Sequence, residues 1–187
     1  MNFSLPDSVT VSGIEYPVRT DFSVILEIFV MLDDPDLTDA DKTEALLRMF
    51  YVNQPPDAEA ALQAFTDFVD PRRAASPSGR HGSRGKKSSE RLIDWQQDFD
   101  LMVAPINHIL GFECRAAEYL HWRTFLSAYL EIPPESVFSR VLRIREKLRT
   151  GKKLEKNERA WYQKNLELVH LKPKFSTEEQ KVVDTWT

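Results

Sequence analysis

The sequence predicts a mainly α protein, with about seven helices in a compact helical domain and a short β-hairpin at the N-terminus. Apolar residues return at three- and four-residue spacing in seven separate segments, as in helices with one buried face. One stretch near the start alternates apolar and polar residues instead. Prolines and glycines fall between these segments, where helices must end. A chain of 187 residues, 42% apolar and 29% charged, suffices for one sizeable core in water.

The first element is the stretch from Val9 to Val18, which alternates on either side of Ser12-Gly13 and reads as a hairpin. Two strands alone are marginal, so it must lean on another element. Asp21 is placed to cap a first helix through Leu32, whose apolar residues Phe22, Ile25, Leu26, Phe29 and Val30 make it central to the core. Thr38 and Asp41 form a capping box for a second helix carrying Leu46, Leu47 and Phe50, and Pro55-Pro56 stops the chain after it. A third helix starts at Asp57 and buries Ala61, Phe65, Phe68 and Val69.

Residues 71–90 are rich in Pro, Ser, Gly, Arg and Lys and, prolines aside, hold no apolar side chain larger than Ala. This stretch is expected to be a flexible basic insert or linker. The expected organisation is therefore a hairpin and helices over 1–70, the insert over 71–90, and a helical C-terminal part over 91–187 that makes one compact domain with 1–70. In that last part, Asp94 opens a helix with Trp95, Phe99, Met102, Ile106 and Ile109 on one face, kinked at Pro105 and ended before Gly111. A fifth helix is expected from about Ala116 to Leu130, a sixth from about Glu135 to Arg149 with Gly151 as its stop, and a seventh from about Glu155 to Leu171.

The formal net charge of −4 conceals a separation along the chain. Twelve Asp/Glu face two Lys/Arg between Asp21 and Asp70, and twelve Lys/Arg face four Asp/Glu between Arg140 and Lys174. A chain of this kind is suited to attract copies of itself head to tail or to offer a basic face to an acidic partner. No apolar run reaches the roughly 20 residues of a membrane span, and Met1-Asn2-Phe3-Ser4 lacks the layout of a secretion signal, so the expected location is a cytoplasm without membrane contact.

Catalysis and cofactors find no support in the residues. Cys114 is the one cysteine and reads as a small buried apolar residue. His81, His108, His121 and His170 are too scattered for a local metal motif. The acidic residues read as solvated helix faces, with no lone buried acid–base pair among them. Gly79 to Ser88 superficially resembles a phosphate-binding loop, but five residues separate Gly79 from Gly85 and an extra lysine precedes Ser88. No enzyme activity, cofactor or metal is expected. Arg80, Arg84, Lys86 and Lys87 offer electrostatic contact to phosphates, yet no aromatic residue accompanies them for stacking on bases. Nucleic acid is accordingly not the expected partner.

From Ile93 onward run Asp94-Trp-Gln-Gln-Asp98, Ile109-Leu-Gly-Phe112, Tyr119-Leu-His-Trp122, Phe125, Pro134-Glu-Ser-Val-Phe138 and Ile144-Arg145. This series resembles the bacteriophage gene-product-fifteen family, small proteins of long-tailed phages and prophages. Leu5-Pro-Asp, Tyr16 and Asp21-Phe22 fit the same resemblance, which covers the chain to about Tyr162 apart from the insert. Three departures are Arg123 where a second tryptophan is common, Pro105 within a helix, and Glu113-Cys114 in place of an Asp-Leu pair.

The resemblance implies a tail-assembly chaperone that binds the tape-measure protein, self-associates, and contacts the major tail protein. It would act in the bacterial host cytoplasm and be absent from the mature virion. Candidate protein-binding residues are Trp95, Phe99, Tyr119, His121, Trp122 and Phe125, with a core role as the plainer reading of each. The competing readings are a structural tail or neck component of the virion and a non-specific nucleic-acid-binding accessory protein that uses the basic insert and the basic C-terminal helices.

Overall fold

A computed structural model describes residues 4–71 and 91–185. Among these residues are two antiparallel strands, β1 (Ser8–Val11) and β2 (Ile14–Pro17), and nine α-helices. The helices are α1 (Phe22–Leu32), α2 (Asp39–Phe50), α3 (Ala58–Val69), α4 (Trp95–Leu110), α5 (Trp122–Leu130), α6 (Val137–Arg149), α7 (Lys156–Lys164), α8 (Leu166–Val169) and α9 (Thr177–Asp184). A 3₁₀ turn, Cys114–Ala116, lies between α4 and α5. The described residues divide into two compact units. Unit 1 holds 4–71, 118–125 and 174–185, and unit 2 holds 91–117 and 126–173.

In unit 1 the hairpin turns at Ser12 and Gly13, with φ of 49° and 83°. Two successive positive φ values give a turn whose twist matches that of paired strands, and glycine adopts the second without steric cost. As expected, the hairpin does not stand alone: β1 packs on α3, and the Ser12 hydroxyl donates to Asp57 at 2.9 Å. Asp21, Thr38 and Asp57 cap α1, α2 and α3 as their spacing predicts, and Thr38 and Asp41 complete the capping box. The far end of α2 is closed by Arg19. Its guanidinium donates to the carbonyls of Arg48, Met49 and Tyr51, groups that a helix end leaves without partners.

The core of unit 1 is aromatic. Phe50 meets Phe65 and Phe68 with centroids 5.0 and 5.2 Å apart, and Phe22 stacks on Phe125 at 4.7 Å. Trp122 packs against both Phe29 and Phe125, and its indole N–H donates to the Val69 carbonyl. Ile25 and Ile28 on α1 are fully buried, in keeping with the central place expected of that helix.

Unit 2 packs α4 against α6, and α6 against α8. Met102 and Ile106 of α4, Val141 and Ile144 of α6, and Val169 of α8 are buried. Helix α4 runs through Pro105 without interruption, and Gly111 (φ 80°) ends it.

Three boundaries differ from expectation. The fifth helix starts at Trp122 and not at Ala116, because the preceding backbone is engaged elsewhere. The Phe22 N–H donates to the Leu120 carbonyl, the Trp122 N–H to the Thr20 carbonyl, and the Leu120 N–H to the Asp21 carboxylate. The seventh predicted helix is two, broken at Asn165, whose backbone leaves the helical region at φ −132°, ψ 37° and whose side-chain amide donates to the Trp161 carbonyl. Helix α9 was not predicted. Its start is a reciprocal box in which Ser176 Oγ accepts from Glu179 N–H and the Glu179 carboxylate accepts from Ser176 N–H.

Tyr51, at the end of α2, is buried and its hydroxyl donates to the Ala61 carbonyl at 2.8 Å. Burial pushes the phenol up to about 12 from an ordinary value of 10.0. The folded state therefore holds the Tyr51 proton where the unfolded chain releases it, and this contribution to stability is complete below about pH 10 and lost as pH rises toward 12. Chemical denaturation across that range is expected to show a smaller alkaline loss of stability for Tyr51→Phe than for the wild type.

Candidate functional site

Polar groups in the interior are the first candidates for chemistry, and in unit 2 these are Asp94, Asp98 and Arg145. Asp94 caps α4, accepting from the N–H groups of Gln96 and Gln97. One turn further on, Asp98 is fully buried and one of its oxygens accepts from the Asp94 N–H at 2.9 Å. Arg145 reaches it from α6 in a two-point contact of 2.6 and 2.9 Å. The same guanidinium donates to the carbonyls of Leu92, Leu168 and Val169 at 2.7 to 2.8 Å. All five N–H groups of the arginine are thus used, two on the carboxylate and three on backbone. Two of those carbonyls end α8, so Arg145 also closes that short helix. The expectation that acidic residues lie only on solvated helix faces does not hold for Asp94 and Asp98. Their burial is made tolerable by Arg145 and by Arg91, which pairs with Asp94 at 2.8 Å.

His121 holds the corresponding place in unit 1. It precedes α5, and its Nδ1 accepts from the Arg123 N–H at 3.0 Å, so it serves as the helix cap. Its Nε2 lies 2.9 Å from the Pro6 carbonyl. A carbonyl can only accept, so the ring is the neutral tautomer with its proton on Nε2. The other unit 1 candidates divide sharply. Trp122 and Phe125 are 2% and 1% exposed, whereas Tyr119 is 58% exposed with its hydroxyl 2.6 Å from that of Thr20.

In unit 2, Trp95 and Phe99 are half-buried, with Trp95 tilted 5.6 Å from Tyr129. The structure therefore does not gather the six candidates into one surface. It places His121, Trp122 and Phe125 in the interior of unit 1. Arg80, Arg84, Lys86 and Lys87 lie outside the described residues.

Residues 1–171 match the protein family described as bacteriophage Gp15 protein. The chain belongs to that family. It is thus a phage protein, and no curated protein or solved structure matches it. In this family member, the motifs that carry the resemblance build the fold. Asp94-Trp-Gln-Gln-Asp98 and Ile144-Arg145 supply the two ends of the buried pair, and Tyr119-Leu-His-Trp122 supplies the bridge to Asp21 and the cap of α5.

The departures from the family pattern have local roles. Arg123 lies over the Phe68 ring at 5.3 Å, so a cation covers an aromatic face there. Burial lowers its affinity for the proton, and Asp70 opposes that effect. Glu113 caps the 3₁₀ turn and is held down to about 2, first by its hydrogen bond from Arg115. Cys114 is fully buried, and its N–H donates to Asn107 Oδ1.

One accessible feature of unit 2 is mixed apolar and basic in character. An open groove of about 270 Å³ is bordered by Leu92, Leu148 and Leu171 together with Arg91, Arg149 and His170. Leu148 is 42% exposed. Among the described residues no group of three or more His, Cys, Asp and Glu could hold a metal ion, and no helix is long and apolar enough to cross a membrane. Sequence reasoning missed the Asp98–Arg145 pair and the groove. The one available signal was spacing, since Asp98 falls four residues before Met102 and eight before Ile106, on the apolar face of the helix.

Two outcomes follow. Arg145→Met, which strands a buried carboxylate, is expected to lower unfolding free energy in urea by about 3–5 kcal/mol. Combining it with Asp98→Leu should restore only part of this loss, since three carbonyls remain without their donor. His121→Ala is expected to cost roughly 1–2 kcal/mol or more through loss of the cap, and His121→Asn, which keeps an acceptor, should cost less. Nitrogen-15 NMR should show the His121 proton on Nε2.

Proposed function

We propose that this protein is a non-catalytic tail-assembly chaperone that binds the phage tape-measure protein and holds it soluble before the tail tube encloses it. The observation that carries this reading is membership of the phage Gp15 family, whose resemblance implies a place in tail morphogenesis. The chemistry of the interior is consistent with a binding role. Asp98, Arg145 and His121 have their polar atoms occupied by internal partners, and their work is architectural.

Contacts with a partner then fall to the surface. In unit 2, Ile109, Phe112, Leu130, Val137, Leu148 and Leu166 are each large, apolar and exposed. Single exposed apolar residues are ordinary on a protein surface. Several of them, repeated over many copies along a long helical client, give weak contacts that add through avidity. A tape measure is a long apolar chain that aggregates unless covered, and it is the client such a surface suits. The protein would act in the host cytoplasm and leave before the virion is complete.

The test is co-expression with the tape-measure protein encoded by the same phage. A client that stays soluble and co-purifies with this chain, and that loses both properties on Leu148→Ser/Phe112→Ser while the circular dichroism of this chain is unchanged, is the expected result. An insoluble client with no complex, together with many copies of this chain in purified virions by mass spectrometry, would replace the proposal with a structural role in the tail.

A further inference from the structure

The two units differ in charge as well as in packing. Among their described residues, unit 1 has eighteen Asp/Glu against six Lys/Arg, net −12, and unit 2 has thirteen Lys/Arg against ten Asp/Glu, net +3. Each imbalance has a focus. In unit 1 the connection from α1 into α2, Asp33 to Asp41, holds five aspartates and no cation of its own. Lys174 pairs with Asp33, and Thr177 donates to Asp36, but Asp34, Asp39 and Asp41 have no Lys or Arg within ion-pair distance among the described residues. Leu37 lies among them and is only partly covered.

In unit 2, α6 ends at Gly151 in the left-handed region (φ 68°), and Lys152, Lys153 and Lys156 follow, all exposed and without a carboxylate partner among the described residues. They adjoin Leu148 and Arg149 in sequence, which border the apolar groove. Each focus thus combines uncompensated charge of one sign with an apolar residue, and the signs are opposite.

We infer that this protein associates head to tail with a second copy of itself, the acidic α1–α2 connection of one molecule docking on the basic, Leu148-bordered corner of the next. Like charges prevent either patch from pairing with its own equivalent, so a two-fold symmetric contact through one patch is disfavoured. A contact between one acidic and one basic patch is heterologous and leaves one patch of each sign free for further copies. Interaction between exposed charges is screened beyond roughly 8–10 Å at physiological salt, so the association is steered by ionic strength. This inference does not depend on the identity of the client.

Sedimentation velocity tests it with the full chain alone. The wild type is expected to form concentration-dependent oligomers at about 50 mM salt, with association weakened roughly tenfold or more at about 500 mM. An acidic-patch variant, Asp34→Lys/Asp39→Lys, and a basic-corner variant, Lys152→Glu/Lys153→Glu, should each be monomeric alone with unchanged circular dichroism. Mixed, they present one intact pair of opposite patches and one charge-reversed pair, so association should return with 1:1 stoichiometry. A wild type monomeric at low salt, variants that associate as the wild type does, or a mixture that stays monomeric would each overturn the inference.

Discussion

Burying a guanidinium requires an acceptor for each of its five N–H groups, and in unit 2 that requirement organises three separate parts of the chain. Arg145 of α6 takes the Asp98 carboxylate of α4, the Leu92 carbonyl just before α4, and the Leu168 and Val169 carbonyls at the end of α8. None of these groups can move far without stranding a buried charge, and the penalty for that exceeds the net worth of the pair itself. The arrangement therefore acts less as a source of stability than as a specification. It fixes which turn of α4 faces α6, and where α8 stops. The apolar contacts of Ile106, Val141, Ile144 and Val169 supply the favourable free energy around it.

Much of this fold was legible because its signals are local. Asp21, Thr38, Asp57 and Asp94 announce helix starts through side chains that reach only two or three residues along, and each was read correctly. Ser12-Gly13 announces its turn in the same way. What was not legible depends on residues far apart in the chain. The start of α5 is set by Thr20, Asp21 and Phe22, about a hundred positions earlier, so helical periodicity from Ala116 to His121 was misleading. The roles of Asp98 and Arg145 appear only when α4 and α6 come together. Asn165 and Ser176 are different cases, where the signal was local and was passed over.

The same distinction explains the six aromatic and histidine candidates. Sequence alone separates an aromatic residue on a helix from one in a loop, but not a core face from a contact face. His121 and Trp122 sit where the chain bridges to Asp21, and every polar atom on their rings is already bonded within unit 1. Of the six, Tyr119 is exposed, and the large exposed apolar side chains of unit 2 are leucines, Ile109, Val137 and Phe112, near helix ends. Exposure of this kind is not displayed by a sequence.

The stacking of Phe22 on Phe125, and the bonds of Thr20 and Asp21 to Tyr119 and Leu120, have a consequence for the timing of synthesis. Thr20 leaves the ribosome 99 residues ahead of Tyr119. At about 5–20 residues per second, that interval lasts on the order of 5–20 s. Once α3 has followed, α1, α2 and α3 can collapse on Phe50, Phe65 and Phe68, with Phe29 against Phe65, yet Phe22 still waits for Phe125, and Phe29 for Trp122. Completion of the N-terminal core is thus a late translational event, and a messenger that stalls before codon 125 leaves the ribosome holding a half-closed aromatic cluster.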